Sequence, residues 1–212
     1  MADLQKSLDK LKLKIEGGMA PESVAIMHQA TKDLEASGVV NGILKVGDKA
    51  PEFILKNHKG VTIISEELLK KGPILITFYR GLWCPYCNKD LAYLKRFKEQ
   101  LEAKGVTLLS ISPQLEENNN KIVEQQRLNY DLLTDNGNNI ASAFGLRWTM
   151  IDPLKSLYDS FGINLPKYNG DTSWTLPIPA RFIIGENGII KYAEFSVDYT
   201  KRPNPDVLLD IL

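Results

Sequence analysis

The feature that most constrains the fold is a short apolar run followed at once by a helical pattern and a second apolar run. Residues 73–79 are almost all apolar or β-branched, which is typical of a strand buried on both faces of a sheet. Leucines and a phenylalanine at helical spacing then predict a helix over residues 85–104, and Gly105 ends it. Residues 106–112 predict the next strand. Together these segments form a βαβ unit, so we expect an α/β fold with a central parallel strand.

Two regions of different pattern make up the whole chain. Residues 1–42 have helical periodicity, with helices predicted over 3–15 and 21–38, and we expect them to form an N-terminal helical arm. Residues 43–212 alternate strands and helices and are predicted to form one redox domain. The further elements predicted in it are helices over 116–126, 140–144 and 150–161, a strand over 132–134, a long loop over 162–174, an antiparallel hairpin over 180–184 and 189–195, and a packed C-terminal segment over 205–212.

The charge balance and the hydropathy pattern exclude several classes of partner. Lysine and arginine total 26, as do aspartate and glutamate, so no basic surface for nucleic acid or for an anionic membrane is predicted. The N-terminal residues alternate charges with leucines and lack the apolar core of a secretion signal, and no apolar run is long enough to cross a bilayer. We therefore expect a cytoplasmic protein whose partners are small molecules or other proteins.

The chain has two cysteines, Cys84 and Cys87, between the first predicted strand and its helix. Their close spacing argues against a secreted disulfide scaffold and favours a chemical role. Cys84 falls at or just before the first helical turn, and Pro85 suits that turn because its missing N–H would have no partner there. The helix N-terminus lowers the pKa of such a cysteine to roughly 3.5–7.5, from about 8.5. We therefore predict a Cys84 thiolate, with Cys87 one turn away to attack a mixed disulfide or a sulfenic acid on Cys84.

Two other interpretations of the cysteine pair are weaker. A structural zinc site needs four ligands, and the other candidates, His28 and His58, lie in distant segments. Cysteines without a chemical role also occur on packed helices, but the strand before this pair and the helix after it are the context that a redox motif requires. We therefore expect neither a metal nor a cofactor.

Residues near the cysteines, in the sequence or in the expected fold, are candidates for catalysis and binding. Arg80 can stabilise the thiolate or hold a peroxide oxygen, or it can be an ordinary surface arginine. Trp83 and Tyr86 can form an exposed apolar docking surface or pack partly buried. Ile178-Pro179 precedes a late strand and is predicted to be a cis peptide facing the cysteines. The candidate catalytic residues are Cys84, Cys87 and Arg80, and the candidate substrate-binding residues are Trp83, Pro85, Tyr86, Ile178 and Pro179.

Four segments carry a family resemblance: residues 46–53, 78–81 leading into 84–87, 132–135 leading to 141–145, and 179–184. They resemble peroxiredoxin-like proteins of the alkyl hydroperoxide reductase and thiol-specific antioxidant family, over about residues 45–212. The resemblance implies a thioredoxin-like fold, with a central mixed sheet flanked by helices and an N-terminal helical extension outside it. It also puts Cys84 at the position of the family's peroxidatic cysteine.

The chain departs from the pattern of that family at two places. Gly81 stands where the family has a Thr or Ser that donates a hydrogen bond to the peroxide, and Thr77 stands near the place of an upstream proline. The family's second arginine has no clear counterpart, because Pro179 is close to its place and Arg181 comes two residues later, pointing elsewhere by strand alternation.

Three functions remain open. The first is an antioxidant thiol peroxidase that reduces hydrogen peroxide and organic hydroperoxides at Cys84, is resolved to a disulfide by Cys87, and is recycled by a thioredoxin-like or glutathione-based reductant. The second is a thiol-disulfide oxidoreductase acting on protein or glutathione disulfides, since residues 84–87 also match the active-site tetrapeptide of many glutaredoxins. The third is a binding module that holds a partner with residues 147–174, which a buried Cys84 of ordinary pKa would favour. Apolar faces on the N-terminal arm would also allow a homodimer.

Overall fold

A computed structural model describes residues 4–212, so the expected start of the first helix at residue 3 lies outside the described part. The helices are α1 Leu4–Glu16, α2 Pro21–Ala36, α3 Ser65–Leu69, α4 Pro85–Leu94, α5 Lys98–Ala103, α6 Glu116–Gln126, α7 Asn139–Ala143, α8 Asp152–Ser160, α9 Leu165–Asn169 and α10 Leu208–Ile211. The strands are β1 Ile54–Asn57, β2 Thr62–Ile64, β3 Ile74–Phe78, β4 Thr107–Ser112, β5 Asp131–Thr134, β6 Arg147–Thr149, β7 Thr175–Pro177, β8 Ala180–Ile184 and β9 Ile190–Phe195. None of the helices formed by residues 4–212 is both long and apolar enough to cross a lipid bilayer.

The centre of the molecule is a seven-stranded mixed sheet in the order β2-β1-β5-β4-β3-β8-β9. Strands β3, β4 and β5 run parallel to one another, whereas β8 pairs antiparallel with β3 and β9, and β1 pairs antiparallel with β5 and β2. Every residue of β3 is buried, as expected for an interior strand covered on both faces. The predicted α/β fold with a central mixed sheet is therefore confirmed, and so is the β8–β9 hairpin.

Two segments follow a path that the periodicity did not predict. The helix expected over residues 85–104 is divided into α4 and α5 by a 3₁₀ turn at Lys95–Phe97. Phe97 is buried and its ring lies 5.7 Å from that of Tyr93, so tertiary packing overrides a uniform helical repeat here. The segment expected as a long loop contains α9, which the Asn164 side chain caps and which ends at Gly170 with a φ of 73°.

The N-terminal helices pack against the elements that surround the cysteines. Leu4 and Leu8 of α1 are buried in the same apolar cluster as Cys84 and Cys87. Helix α2 lies on α8, and buried Met27 belongs to a cluster formed with residues of the 147–174 segment. Both N-terminal helices therefore contribute to the walls around the cysteine helix, while a domain boundary at residue 42 stays a prediction.

Candidate active site

Cys84 occupies the N-cap of α4, directly after the loop that leaves the buried strand β3. Its backbone is extended, with φ −92° and ψ 106°, and its Sγ accepts a hydrogen bond from the N–H of Cys87 at 3.3 Å. Pro85 is the first helical residue, where the missing N–H of proline leaves no intrahelical hydrogen bond unmade. A sulfur in this position receives the unpaired N–H groups and the positive end of the helix, both of which stabilise a thiolate.

Arg80 supplies a fixed positive charge above the Cys84 sulfur. Its Nη2 donates to Cys84 Sγ at 3.4 Å, and its Nη1 donates to the hydroxyl of Tyr158 at 3.2 Å. The guanidinium carbon lies 4.9 Å from the centre of the Trp83 ring and 4.2 Å from that of Tyr199. Arg80 is only 3% exposed, so little water screens its charge from the sulfur. Arg80 is therefore not an ordinary surface arginine, which was one of the two alternatives kept from the sequence.

The two thiols are both free and differ in their proton affinity. Burial raises the pKa of Cys84, but a hydrogen bond from Cys87 and the positive charges of Arg80 and Arg202 outweigh it and hold that pKa well below its usual range. Burial, together with the hydrogen bond to Cys84 and the charge of Cys84, raises the pKa of Cys87 well above its usual range. These opposite directions favour the proton on Cys87 and the negative charge on Cys84.

Arg202 is a residue of this site that the sequence analysis missed. Its Nη2 lies 3.0 Å from the Sγ of Cys87, although the two residues are 115 positions apart in the chain. Asp90, one turn after Cys87 on α4, accepts two hydrogen bonds from Arg181 at 2.8 and 3.0 Å. Arg181 is thus bonded to Asp90, and nothing in the local sequence marks Arg202.

The candidate binding residues border two different cavities. Trp83, Pro85 and Tyr86 line a cavity of about 550 Å³, which is also lined by the α1–α2 connection and the end of α8. Tyr86 is buried rather than exposed, because its ring packs 5.7 Å from that of Tyr199. Ile178 and Pro179 line a much smaller cavity of about 20 Å³. Arg80 borders both cavities, and its Nη2 donates to the Cys84 sulfur.

The prediction of a cis peptide at Ile178-Pro179 is wrong. No peptide bond in residues 4–212 is cis. The N–H of Ile178 donates to the carbonyl of Leu146 at 2.8 Å, which continues the extended pairing of β7 with β6 up to the proline. With that extended path in place, the chain keeps the trans isomer that X-Pro bonds favour by about 0.5–1 kcal/mol.

Gly81 has a backbone conformation and surroundings that exclude a side chain. Its φ is 150°, and a Cβ built there would lie 2.7 Å from Nε1 of Trp83 and 3.2 Å from Oε1 of Gln114. The same Gln114 oxygen accepts from the N–H of Leu82 at 2.8 Å, so it is not free to move. The indole nitrogen of Trp83 therefore occupies the space that a Thr or Ser side chain at position 81 would need.

Two buried donors beside the cysteine lack an acceptor among the described residues. They are Nε of Arg80 and Nε1 of Trp83. A buried N–H without a partner is destabilising, so such groups in a native structure call for a ligand or an ordered water. Both belong to residues that line the larger cavity.

The fold and the paired cysteines define a protein with a thioredoxin-like fold and a two-thiol centre at the start of a helix. A sequence model described as the AhpC/TSA family matches residues 46–193, which is more than half of the chain, so the chain belongs to this family.

Individual relatives agree with that membership. The chain is 31% identical over 103 residues to the peroxiredoxin bcp of Haemophilus influenzae, covering 49% of this chain and 66% of that protein. It is 25% identical over 108 residues to the thiol-disulfide oxidoreductase ResA of Halalkalibacterium halodurans, covering 50% of this chain and 59% of that protein. The chain thus spans just under two thirds of these relatives. In fold it is similar to the crystal structure of peroxidoxin BcpB from Mycobacterium tuberculosis, with a TM-score of 0.62, 20% identity, and coverage of 79% of this chain and 96% of the other.

Proposed function

We propose that the chain is a thiol peroxidase in which Cys84 is the peroxidatic cysteine. The observation that supports this best is the buried Sγ of Cys84 at the start of α4, 3.4 Å from Nη2 of Arg80. The thiolate attacks one peroxide oxygen, the O–O bond breaks, and Cys84 becomes a sulfenic acid. The leaving oxygen takes up a proton and departs as an alcohol or as water, so two electrons pass from sulfur to the peroxide.

Cys87 then resolves the sulfenic acid. Its sulfur attacks the sulfur of Cys84, the S–O bond breaks, and the hydroxyl group leaves as water with one further proton. The product is a Cys84–Cys87 disulfide, which a thioredoxin-like dithiol, or two molecules of a glutathione-type thiol, reopens with two electrons. The position of both thiols in one buried site supports this intramolecular route. An antioxidant role follows from the chemistry.

The substrates that we propose are hydrogen peroxide and organic hydroperoxides. The two unpaired donors, Nε of Arg80 and Nε1 of Trp83, suit the oxygens of a bound peroxide. The cavity of about 550 Å³ supports an organic substituent as well, since its lining is mainly apolar and extends from Trp83 to Met19 and Ile163. The donors would thus bind the peroxide group and the cavity would bind the rest of the molecule.

A thiol-disulfide oxidoreductase is the second candidate. The CxxC pair and the similarity to ResA favour it. Cys84 is 0% exposed, so a protein disulfide would reach its sulfur only if the site opened, as a thioredoxin-like reductant would also require. The binding module is disfavoured because the pKa of buried Cys84 is lowered rather than ordinary.

The substrate proposal is tested by narrowing the apolar cavity. Ser23 of α2 lines it, whereas the neighbouring Glu22 is exposed and does not, so Ser23→Phe and Glu22→Phe form a matched pair. Ser23→Phe leaves the donors of Arg80 and Trp83 in place. It should therefore lower kcat/KM for cumene hydroperoxide about tenfold and leave kcat/KM for hydrogen peroxide nearly unchanged. Equal effects on both peroxides, or an equal effect of Glu22→Phe, would contradict a role of the cavity in substrate binding.

A further inference from the structure

The interior around the thiols contains more positive than negative charge. Three arginines lie there at 0–7% exposure, namely Arg80, Arg181 and Arg202. Among the described residues the one carboxylate paired with them is Asp90, at 1% exposure. A buried charge is costly unless a partner balances it, so this site favours negative charge on sulfur. The Cys84 thiolate balances only part of the excess.

The guanidinium of Arg202 is held so that one of its nitrogens faces Cys87. Nη1 donates to the carbonyls of Tyr199 and Lys201 at 2.6 and 2.7 Å. Nε forms an ion pair with Asp90 Oδ2 at 3.5 Å, without hydrogen-bond geometry. These contacts leave Nη2 to donate to Cys87 Sγ at 3.0 Å, closer than Arg80 Nη2 is to Cys84 Sγ.

Oxidation of Cys84 changes which sulfur the arginines stabilise. In the dithiol state the negative charge of Cys84 opposes ionisation of Cys87 and raises its pKa, although burial is the larger cause and Arg202 acts against both. A sulfenic acid on Cys84 is neutral, so this repulsion is removed when the peroxide has reacted. The charge of Arg202 then acts on Cys87 without competition from the other sulfur.

We propose that Arg202 is a catalytic residue of the resolving step, in which its guanidinium stabilises Cys87 as the thiolate that attacks the Cys84 sulfenic acid. This rests on the proposed peroxidase function. The Cys87 proton and the hydroxyl group of the sulfenic acid leave together as water, and the S–S bond replaces the S–O bond. Asp90 and Arg181 are positioning residues, because Asp90 is anchored by two hydrogen bonds from Arg181 and its other contact is with Arg202.

Other charged or titratable groups around Cys87 do not replace Arg202. The side chain of Arg80 is directed at Cys84 and Tyr158, and only its backbone N–H reaches Cys87, at 3.4 Å. The groups that act on Cys87 from the surrounding elements are Tyr79, Arg80, Cys84, Tyr158 and Arg202, and Asp90 pairs with Arg202. Burial keeps both tyrosines neutral by raising the pKa of each hydroxyl.

The charge effect can be measured without any peroxide. In a Cys84→Ser background Cys87 is the single cysteine, and the serine is neutral like a sulfenic acid, so the ultraviolet absorbance of the thiolate reports the pKa of Cys87. Adding Arg202→Gln should raise this pKa by about one unit, while Arg202→Lys should restore most of the difference. Arg147→Gln, which removes an exposed arginine bonded to the carbonyl of Gly137, is the control. A pKa that Arg202→Gln leaves unchanged would overturn the proposal.

Stopped-flow kinetics of the protein that retains both cysteines then separate the two steps of the reaction. Arg202→Gln should preserve the oxidation phase, slow the resolving phase about tenfold near neutral pH, and shift the pH profile of that phase upward with the same plateau. A lower plateau without a shift would mean a structural role and would overturn the assignment. If the wild type shows no fast oxidation phase, the peroxidase proposal fails, and the titration alone decides whether Arg202 controls Cys87.

Discussion

Replacing Arg80 by methionine removes the charge above Cys84 while keeping an unbranched side chain of similar reach. Arg80 donates to Cys84 Sγ at 3.4 Å in a site with almost no exposure, so solvent does not compensate for its loss. A hydrogen bond to a charged group contributes about 1.5–3 kcal/mol. Since one pKa unit corresponds to about 1.4 kcal/mol, the pKa of Cys84 should rise by about one to two units.

The assay uses a Cys87→Ser background, in which Cys84 is the single cysteine and its thiolate absorbance can be titrated. Oxidation by peroxide, measured across the same pH range, should shift upward together with the titration. Tyr158→Phe is the matched control, because it removes the other hydrogen bond of Arg80 and keeps the charge. A Cys84 pKa that changes by less than about 0.3 unit in Arg80→Met would refute the reasoning and leave Arg202 and the helix N-terminus as the causes of the low pKa.

Three further variants test the charge network, the glycine and the thiolate. Asp90→Asn leaves two buried arginines without their carboxylate and should lower the free energy of unfolding in urea by about 3–5 kcal/mol; a loss under about 1 kcal/mol would contradict this. Gly81→Ala places a Cβ 2.7 Å from Nε1 of Trp83 at a φ of 150° and should cost about 1–3 kcal/mol with altered tryptophan emission, whereas wild-type stability and emission would argue against the clash. Folding lowers the pKa of Cys84, so between that pKa and the unfolded value near 8.5 the unfolded chain binds more protons than the folded one, and the free energy of unfolding should rise with pH. Urea titrations of Cys84→Ala at several pH values should show a smaller rise. An unchanged dependence of the free energy of unfolding on pH would contradict this.

Local patterns were sufficient to predict the elements that position Cys84. The apolar run that became β3 and the periodic helix after it depend on neighbours in the sequence, and so does the placement of Cys84 before Pro85 at a helix start. The adjacent residues Asn187-Gly188, a dipeptide typical of tight turns, were likewise sufficient to predict the β8–β9 hairpin. Arg80 lies beside Cys84 because only a short loop separates the end of β3 from α4.

Features that depend on contacts between distant segments were not predictable. Arg202 reaches Cys87 through the path of the C-terminal segment, and Tyr158 reaches Arg80 through the fold of residues 147–174. The trans bond at Pro179 follows strand β7, whose partner β6 lies in a distant segment of the chain. The cavity exists because α1 packs on α4 and α2 packs on α8, and helical periodicity alone does not say which surface an amphipathic helix covers.

The central claim, that Cys84 is a peroxidatic thiolate, is tested most directly by mixing the reduced protein with hydrogen peroxide or cumene hydroperoxide in a stopped-flow instrument. Trp83 reports the reaction through its fluorescence, because its ring contacts the guanidinium that binds the Cys84 sulfur. The account predicts a fast change whose rate is proportional to peroxide concentration and which is absent in Cys84→Ser. A slow change of similar rate in the wild type and in Cys84→Ser would contradict it.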